Sequence, residues 1–272
     1  MKNELETNSN IKIIYLDNFN KVNHIPDCDY KKINNNIISE NNSIESYIIR
    51  NLDLSNNMNL EEFILENNSC DLIIKFNDNT KYIDIRFSNI EFINLPLNLI
   101  ELNLIHCWTV NNINDSIHIR YTNEIFTKLP TGIKKLNCCD NNIDNLNSLP
   151  NSLTHLTCDY NKIKELDYLP NSLKYLSCAH NSIVNLNNLP NSITYLICSY
   201  NNIENIDYLD DNIYYLICNN NKLSSISKLP NKLYFGNLKN NPLVFNGFLS
   251  NMNIFKYLLL CWVIYDKSNN YK

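Results

Sequence analysis

LPNSLTHLTCDYNKIKELDY (149–168), LPNSLKYLSCAHNSIVNLNN (169–188) and LPNSITYLICSYNNIENIDY (189–208) follow one another without a gap and share one pattern. Three more segments with the same pattern start at residues 129, 209 and 229, so six 20-residue units fill 129–248. A fixed period of this kind indicates stacked units, because no single unit can bury its own apolar residues. We therefore predict six stacked turns over these residues.

The spacing of the apolar residues predicts a β-strand in each unit. The pattern is L-x-x-L-x-C-x-x-N-x-I-x-x-L, with Leu156 and Cys158 as its centre in the second unit. Residues two apart face the same side of a strand, and their counterparts in the next unit lie about 4.8 Å away along a parallel ladder. We call the segment that connects one strand to the next the return path. Because each unit has only 20 residues, the return path has little room for a helix. The prolines after each opening leucine suit an extended or 3₁₀ route: Pro130, Pro150, Pro170, Pro190 and Pro230. Asp210 replaces the proline once, where an Asp-Asp-Asn turn can serve.

This pattern resembles the leucine-rich-repeat family, specifically its short class with an LP-x-x-L opening. The Asn-rich version found here is similar to repeat proteins of giant DNA viruses and social amoebae. The resemblance is clear over 129–248 and extends in degraded form back to about residue 48. It implies a β-dominated α/β horseshoe, which is a right-handed solenoid with a parallel sheet on the concave face and a mostly non-helical convex side.

This pattern divides the chain into four segments. Residues 1–47 do not repeat and are predicted to be a partly disordered or capping N-terminal segment, and 48–128 to hold irregular repeats. Residues 129–248 hold the regular repeats, and 249–272 are predicted to form a helical C-terminal cap. Core positions of the irregular repeats are assigned to Ile83, Ile85, Ile90, Leu99, Leu102, Leu104 and Cys107, with cysteine in place of the repeat asparagine at the last.

Two further columns of identical residues have structural interpretations. An asparagine recurs where the chain leaves each strand, and we expect it to bond backbone groups of its own and the adjacent turn: Asn141, Asn161, Asn181, Asn201, Asn221 and Asn241. A cysteine recurs at an inward strand position, where it serves as a small apolar residue rather than as a disulfide, redox or metal group: Cys138, Cys158, Cys178, Cys198 and Cys218.

Composition narrows the function classes. The net charge is −5 with no basic stripe, which argues against a nucleic-acid partner. The longest apolar run, 257–265, is about half of the roughly 20 residues that span a bilayer, so no membrane partner is predicted. No secretory leader is visible, which favours a cytoplasmic protein, or host cytoplasm or virion if it is viral. Cys139, His155 and His180 share one predicted face but lack a Cys-x-x-Cys or His-x-x-x-His spacing. We therefore predict no enzyme, no metal and no cofactor.

The candidate site lies on the outward strand positions, because leucine-rich-repeat proteins usually bind protein partners there. Tyrosines recur at one such position, with exposed isoleucines expected beside them, and exposed aromatic clusters are typical of interface hot spots. The predicted partner-binding residues are Tyr175, Tyr195, Tyr215, Phe235, His155, Ile197, Ile217, Tyr160 and Tyr200. The alternative is that the tyrosines only satisfy β-propensity and stack across strands.

The predicted function is a non-catalytic protein–protein interaction module that binds an unknown protein partner. Two other roles stay open at this point: a substrate-recognition subunit of a ubiquitin-ligase-type complex, and a structural component of a virion. The pattern leaves the partner's identity and the oligomeric state open.

Overall fold

The computed structural model contains two compact units, Met1–Asn142 and Ile143–Lys272. The residues it describes are 13–17, 30–32, 50–56, 58–66, 72–88, 90–109 and 119–243. The predicted cap at 249–272 lies outside these residues, and the segment boundaries at 47, 128 and 248 stay predictions.

The strands of the first unit, as the structure describes it, are β1 (Ile13–Asp17), β2 (Tyr30–Lys32), β3 (Arg50–Asp53), β4 (Glu62–Glu66), β5 (Leu72–Lys75), β6 (Tyr82–Arg86), β7 (Ile90–Asn94), β8 (Glu101–Ile105), β9 (Trp108–Thr109), β10 (Ile119–Arg120) and β11 (Lys135–Asn137). A 3₁₀ helix spans Asn123–Lys128. A parallel sheet has the order β11-β8-β6-β4-β1-β2. A second parallel sheet has the order β3-β5-β7, and β9 pairs antiparallel with β10.

The second sheet was not predicted. The extended return path expected from the sequence forms a hydrogen-bonded ladder in this unit, with Leu52 opposite Ile74 and Ile74 opposite Phe92. The period in the first unit is also irregular, because Glu101 pairs with Lys135, 34 residues later. The additional residues of that turn include β9, β10 and the 3₁₀ helix.

The second unit is regular. Its strands are β12 (His155–Thr157), β13 (Tyr175–Ser177), β14 (Tyr195–Ile197), β15 (Tyr215–Ile217) and β16 (Phe235–Asn237). Successive strands pair in parallel with a step of 20 residues, as Tyr175 opposite Tyr195 illustrates. No helix or strand occurs on the return path over the described residues 143–243. The predicted β-dominated solenoid with parallel strands and a mostly non-helical return path is therefore confirmed.

The proline positions form the predicted turns. The Leu173 N–H donates to the Pro170 carbonyl oxygen at 3.0 Å, and the other LP-x-x-L segments of the second unit repeat this bond. Where aspartate replaces proline, the Ile213 N–H donates to the Asp210 carbonyl at 3.2 Å. The Asp210 carboxylate also accepts the Asn212 N–H at 2.8 Å, so an Asp-Asp-Asn turn does serve there.

The inward residues pack as predicted. Leu156, Cys158, Leu176 and Cys178 have no exposed surface, and the described cysteines are free thiols. Burial raises the pKa of the Cys178 thiol well above its ordinary value, which keeps it neutral and unreactive. The packing role assigned to the cysteine column is confirmed.

The asparagine column connects adjacent turns. Asn181 Nδ2 donates to the Cys158 carbonyl of the preceding turn at 3.0 Å and to the Cys178 carbonyl of its own turn at 3.1 Å. Its Oδ1 accepts the Ile163 N–H at 2.9 Å. Asn201, Asn221 and Asn241 repeat this arrangement. These bonds satisfy backbone groups that would otherwise be buried without partners, as predicted.

Candidate functional site

The first residues of the strands of the second unit form a column of rings, here called the strand column. They point outward because the middle residue of each strand is the buried leucine or glycine, and side chains alternate along a strand. The members are His155, Tyr175, Tyr195, Tyr215 and Phe235. Their successive ring centroids lie 5.9, 6.5, 5.7 and 4.7 Å apart. All five predicted residues of this column therefore lie side by side on one surface.

The third residues of the same strands form the floor beside the strand column: Thr157, Ser177, Ile197, Ile217 and Asn237. The expectation that this row is exposed was wrong in part. Ile197 and Ile217 are half-buried rather than exposed. Ser177 is buried, and its hydroxyl donates to the Asp159 carboxylate at 2.7 Å, which offsets the cost of burying it.

The residues immediately before the asparagines of the asparagine column form the exit column: Tyr160, His180, Tyr200, Asn220 and Asn240. All five have left-handed backbones, with φ between 53° and 56°. Asparagine and histidine tolerate this conformation better than most residues, whereas it is uncommon for tyrosine. The N–H groups of Tyr160 and His180 nevertheless donate to the next turn at 2.9 Å, so the ladder continues through this position.

Three rings of the exit column stack tightly. The His180 ring lies 4.1 Å from the Tyr160 ring and 4.1 Å from the Tyr200 ring, at interplanar angles of 10° and 12°. Tyr160 and Tyr200 were predicted as site residues, whereas His180 was considered only for catalysis. Since all three residues are spaced by 20, the repeat register itself could have identified His180 as the middle of this stack.

Two exposed tyrosines extend the surface and were missed. Tyr214 and Tyr234 precede the strand-column members Tyr215 and Phe235 in the chain. Their rings are parallel, with centroids 5.0 Å apart and an interplanar angle of 3°, and Tyr214 lies 6.1 Å from Tyr195. Their 20-residue spacing was the available signal. We call the strand column, floor, exit column and these two tyrosines together the aromatic surface.

Asp159 is the acidic group next to the floor. Its carboxylate accepts the Ser177 hydroxyl at 2.7 Å and the Ala179 N–H at 2.7 Å. Burial raises the pKa of this carboxyl above its ordinary value, and the hydrogen bonds and His180 oppose that shift without cancelling it.

The three residues considered for catalysis have different surroundings. Cys139 lies in the first unit, whereas His155 stacks on Tyr175 and His180 stacks between two tyrosines. Over the described residues, no group of three His, Cys, Asp or Glu side chains is arranged to hold a metal ion. Among the same residues, no helix has the length and apolar content needed to cross a bilayer.

No protein-family model matches the chain. No curated protein matches it either. Among solved structures, it is similar to YopM from Yersinia enterocolitica WA-314, with 26% identity and a TM-score of 0.56 over 69% of this chain and 39% of that chain.

Two weaker similarities have TM-scores below 0.5. One is to YopM from Yersinia pestis, described as a leucine-rich effector protein, with 21% identity and a TM-score of 0.48 over 74% of this chain and 66% of that chain. The other is to the giant-virus protein CroV588, described as a circular leucine-rich-repeat protein, with 24% identity and a TM-score of 0.47 over 70% of this chain and 33% of that chain. The chain thus spans less than two thirds of the length of each of these three structures. The chain has the leucine-rich-repeat fold, and its resemblance to viral and amoebal repeat proteins stays a prediction.

Proposed function

We propose that the chain is a non-catalytic protein-binding module whose contact is the aromatic surface of the unit Ile143–Lys272. The supporting observation is that six rings of the aromatic surface are exposed: Tyr160, Tyr195, Tyr200, Tyr214, Tyr234 and Phe235. Contiguous exposed apolar patches on folded proteins commonly mark interaction sites. Tyrosine is also enriched among the residues that dominate binding energy.

Stacking leaves a large part of several of these rings exposed. A column that served only to stabilise the sheet would gain most from fully covered side chains, because burial is what stabilises aromatic residues. Tyr234 and Tyr160 instead keep 59% and 57% of their surface exposed although both are stacked. Exposed area that remains after stacking is available to a partner.

Three observations support a non-catalytic role. The described cysteines of the second unit are all buried, so a reactive thiol beside His155 or His180 is lacking there. Both histidine rings are engaged in stacking contacts. Leucine-rich-repeat neighbours suggest an interaction module rather than an enzyme.

The test is affinity capture from the native cell with wild-type protein and with Tyr175→Ala/Tyr195→Ala/Tyr215→Ala, followed by mass spectrometry. We expect the triple variant to lose the captured partners. Each removed ring pair stabilises the sheet by roughly 0.2–1 kcal/mol, so the variant should stay folded with a melting temperature lower by several degrees.

The matched control is Tyr168→Ala/Tyr208→Ala. These tyrosines are 80% and 72% exposed and belong to the return path, outside the aromatic surface. The control should capture the same partners as wild type. If the triple variant retains them while circular dichroism shows it folded, the site assignment is wrong.

A further inference from the structure

A pocket of about 500 Å³ opens on the return path of the unit Ile143–Lys272. Tyr168, Leu169 and Asn171 line it from one LP-x-x-L turn, and residues 188–192 line it from the next. Its volume is within the range of small-molecule sites, which is roughly 300–1,000 Å³. None of the lining residues belongs to the aromatic surface, so this pocket is a separate site.

The return path changes conformation where the pocket lies. Tyr168 has a left-handed backbone with a φ of 61°, as Ser148 has one turn earlier, whereas Asn188 and Tyr208 at the same position of the repeat do not. In the same place, Leu189 is half-buried, whereas the opening leucines of the other five repeats are buried. The regular packing of successive turns is therefore interrupted at the pocket.

Tyr168 is held in an unfavourable conformation without being buried. A left-handed backbone is an outlier for a bulky residue, yet 80% of the surface of Tyr168 is exposed. Tyr208 is similarly exposed, at 72%, but it has no left-handed backbone and does not line the pocket. Burial in the core thus does not explain the conformation of Tyr168. Strained conformations are concentrated at functional sites, and this one places the tyrosine beside an open pocket.

Three asparagines supply amide groups to the pocket: Asn171, Asn188 and Asn191. Asn188 Nδ2 donates to the Asp167 carboxylate at 2.6 Å, which fixes that side chain. Among the described residues, the side-chain amides of Asn171 and Asn191 form no hydrogen bond within the protein, and both residues are exposed. The corresponding amide of Asn231, by contrast, donates to an aspartate at 2.6 Å. Two amides, each with donors and an acceptor, are therefore available to a ligand.

The chemistry of the lining selects the class of ligand. None of the residues that line the pocket has a charged side chain, so an ionised ligand would lose hydration without gaining an opposite charge. A hydroxyl group both donates and accepts hydrogen bonds, which matches an unbonded amide. The exposed Tyr168 ring has a negative face that attracts C–H groups. A neutral pyranose combines these features, because its ring faces carry C–H groups and its edge carries hydroxyl groups.

A nucleotide fits the pocket less well. Single-stranded nucleic acids bind where several rings stack on their bases and cationic side chains follow their phosphates. This pocket has one ring and no lysine or arginine in its lining. The Asp167 carboxylate, which is bonded to Asn188, would also repel a phosphate. One ring with several amides is better suited to a ligand with many hydroxyl groups than to a flat, anionic one.

We propose that this pocket binds one neutral hexopyranose unit, with a C–H face of the sugar on the Tyr168 ring and its hydroxyl groups bonded to Asn171 and Asn191. The site is independent of the aromatic surface and adds a carbohydrate ligand to the proposed function. A single sugar unit binds weakly, in the millimolar range. Loss of this site should therefore not release a protein that is held by the aromatic surface.

The test is saturation-transfer difference NMR of the full chain with three neutral sugars: methyl β-D-glucopyranoside, methyl β-D-galactopyranoside and N-acetyl-D-glucosamine. D-Glucuronic acid and thymidine at the same concentration are the comparison ligands. We expect at least one neutral sugar to give ring-proton signals at least fivefold stronger than those of either comparison ligand. Tyr168→Ala should reduce these signals at least fivefold, whereas Tyr208→Ala should leave them within twofold of wild type.

A second variant tests the hydrogen bonds separately from the ring. Asn171→Ala/Asn191→Ala removes both unbonded amides and should reduce the sugar signals at least threefold. Because both residues are exposed, the variant should stay folded. Asn151→Ala is the matched control, since Asn151 is exposed at the same position of the repeat and does not line the pocket. This control should leave the signals within twofold of wild type.

Three outcomes would overturn the inference. These are no signal from any of the neutral sugars, an equal or stronger signal from glucuronic acid or thymidine, and sugar signals that Tyr168→Ala leaves unchanged. Circular dichroism checks that each variant is folded, and if Tyr168→Ala is not, unchanged signals in Asn171→Ala/Asn191→Ala reject the site. None of these outcomes affects the aromatic surface, because its test replaces the tyrosines of the strand column.

Discussion

The two units have similar inward residues and different outward ones. On the strands of the unit Met1–Asn142, Arg86 pairs with Asp84 at 2.6 Å and with Glu66 at 3.7 Å, and Lys135 pairs with Glu101 at 3.2 Å. On the strands of the unit Ile143–Lys272, the position that Glu101 and Lys135 hold in the first unit is occupied by neighbouring aromatic rings. Buried leucine, isoleucine and cysteine line the inner side in both units. The inward residues therefore define the fold, and the outward residues distinguish the surfaces of the two units.

The return paths differ as well. In the first unit, β3, β5 and β7 form a parallel sheet, and Asn94 exchanges two hydrogen bonds of 3.2 Å with the backbone of Phe76. In the second unit, the return path ends at the LP-x-x-L turns, just before the next strand. Proline has no N–H to donate to a ladder, so its recurrence favours turns over a second sheet. In both units, the return path connects successive strands of a parallel sheet.

The largest expected effect concerns the asparagine column. Asn201→Ala removes three hydrogen bonds to backbone carbonyls and one from the Ile183 N–H. Leaving such groups buried without partners should lower the free energy of unfolding by about 3 kcal/mol. In the turn before Asn141, Cys107 holds the corresponding position, and its thiol donates only weak bonds of 3.3 and 3.4 Å. Cys107→Ala should therefore cost about 1 kcal/mol.

Urea denaturation measures both variants, with Asn191→Ala as the control because Asn191 is an exposed asparagine of the same unit. The control should change the free energy of unfolding by less than about 0.5 kcal/mol. Equal losses for Asn201→Ala and Cys107→Ala would show that the two positions are energetically equivalent despite their different chemistry.

The second prediction separates the two outward surfaces by their response to salt. Arg86→Ala should lower the free energy of unfolding by about 1 kcal/mol at low ionic strength and by less in 0.5 M NaCl, because salt screens exposed ion pairs. Tyr215→Ala removes contacts to Tyr195 and Phe235 and should cost about 1 kcal/mol at either salt concentration.

Paired urea denaturation curves at the two salt concentrations give the comparison. Exposed Lys222, replaced by alanine, controls for the loss of a positive charge elsewhere. A salt-dependent loss in Tyr215→Ala, or a salt-independent loss in Arg86→Ala, would contradict the distinction between a charged and an aromatic surface.

Much of the fold could be predicted because the decisive residues repeat. Leu156, Cys158 and Asn161 each recur at a fixed spacing. A residue type that repeats at the same position of every unit indicates the same surroundings in every turn. The Asp210 turn could be predicted for a local reason, since an aspartate carboxylate can accept a nearby N–H whatever the rest of the chain does.

The remaining features depend on contacts that no single segment encodes. The second sheet of the first unit needs β3, β5 and β7 to pair across intervals of 22 and then 18 residues, without a shared motif. The hydroxyl of buried Ser177 is satisfied by a carboxylate 18 residues earlier, and the stack around His180 depends on rings in the preceding and following turns. Exposure of a side chain follows from such neighbours, which explains why the expected exposure of Ile197 and Ile217 was wrong.

The smallest expected effect concerns the charge beside the aromatic surface. The acidic groups Asp84, Glu66 and Glu101 of the first unit have a lysine or arginine partner, whereas Asp159 is bonded by Ser177 and Ala179. Because burial raises the pKa of Asp159 in the folded state, the folded protein holds this proton more firmly than the unfolded chain does. The contribution of Asp159 to stability therefore falls as pH rises from about 3.9 through the raised folded pKa, and is least favourable above it.

Asp159→Asn keeps an oxygen that can accept both hydrogen bonds and carries no charge. The variant should therefore gain a few tenths of a kcal/mol relative to wild type as pH rises through this window, measured as the difference between their urea denaturation free energies at each pH. Ser177→Ala removes a hydrogen bond that lowers the pKa of Asp159 in the folded protein. In that variant, the decline of the free energy of unfolding should therefore extend to higher pH than in wild type. A difference between Asp159→Asn and wild type that stays constant with pH, or changes in the opposite direction, would show that burial beside the aromatic surface does not raise the pKa of Asp159 in the folded protein.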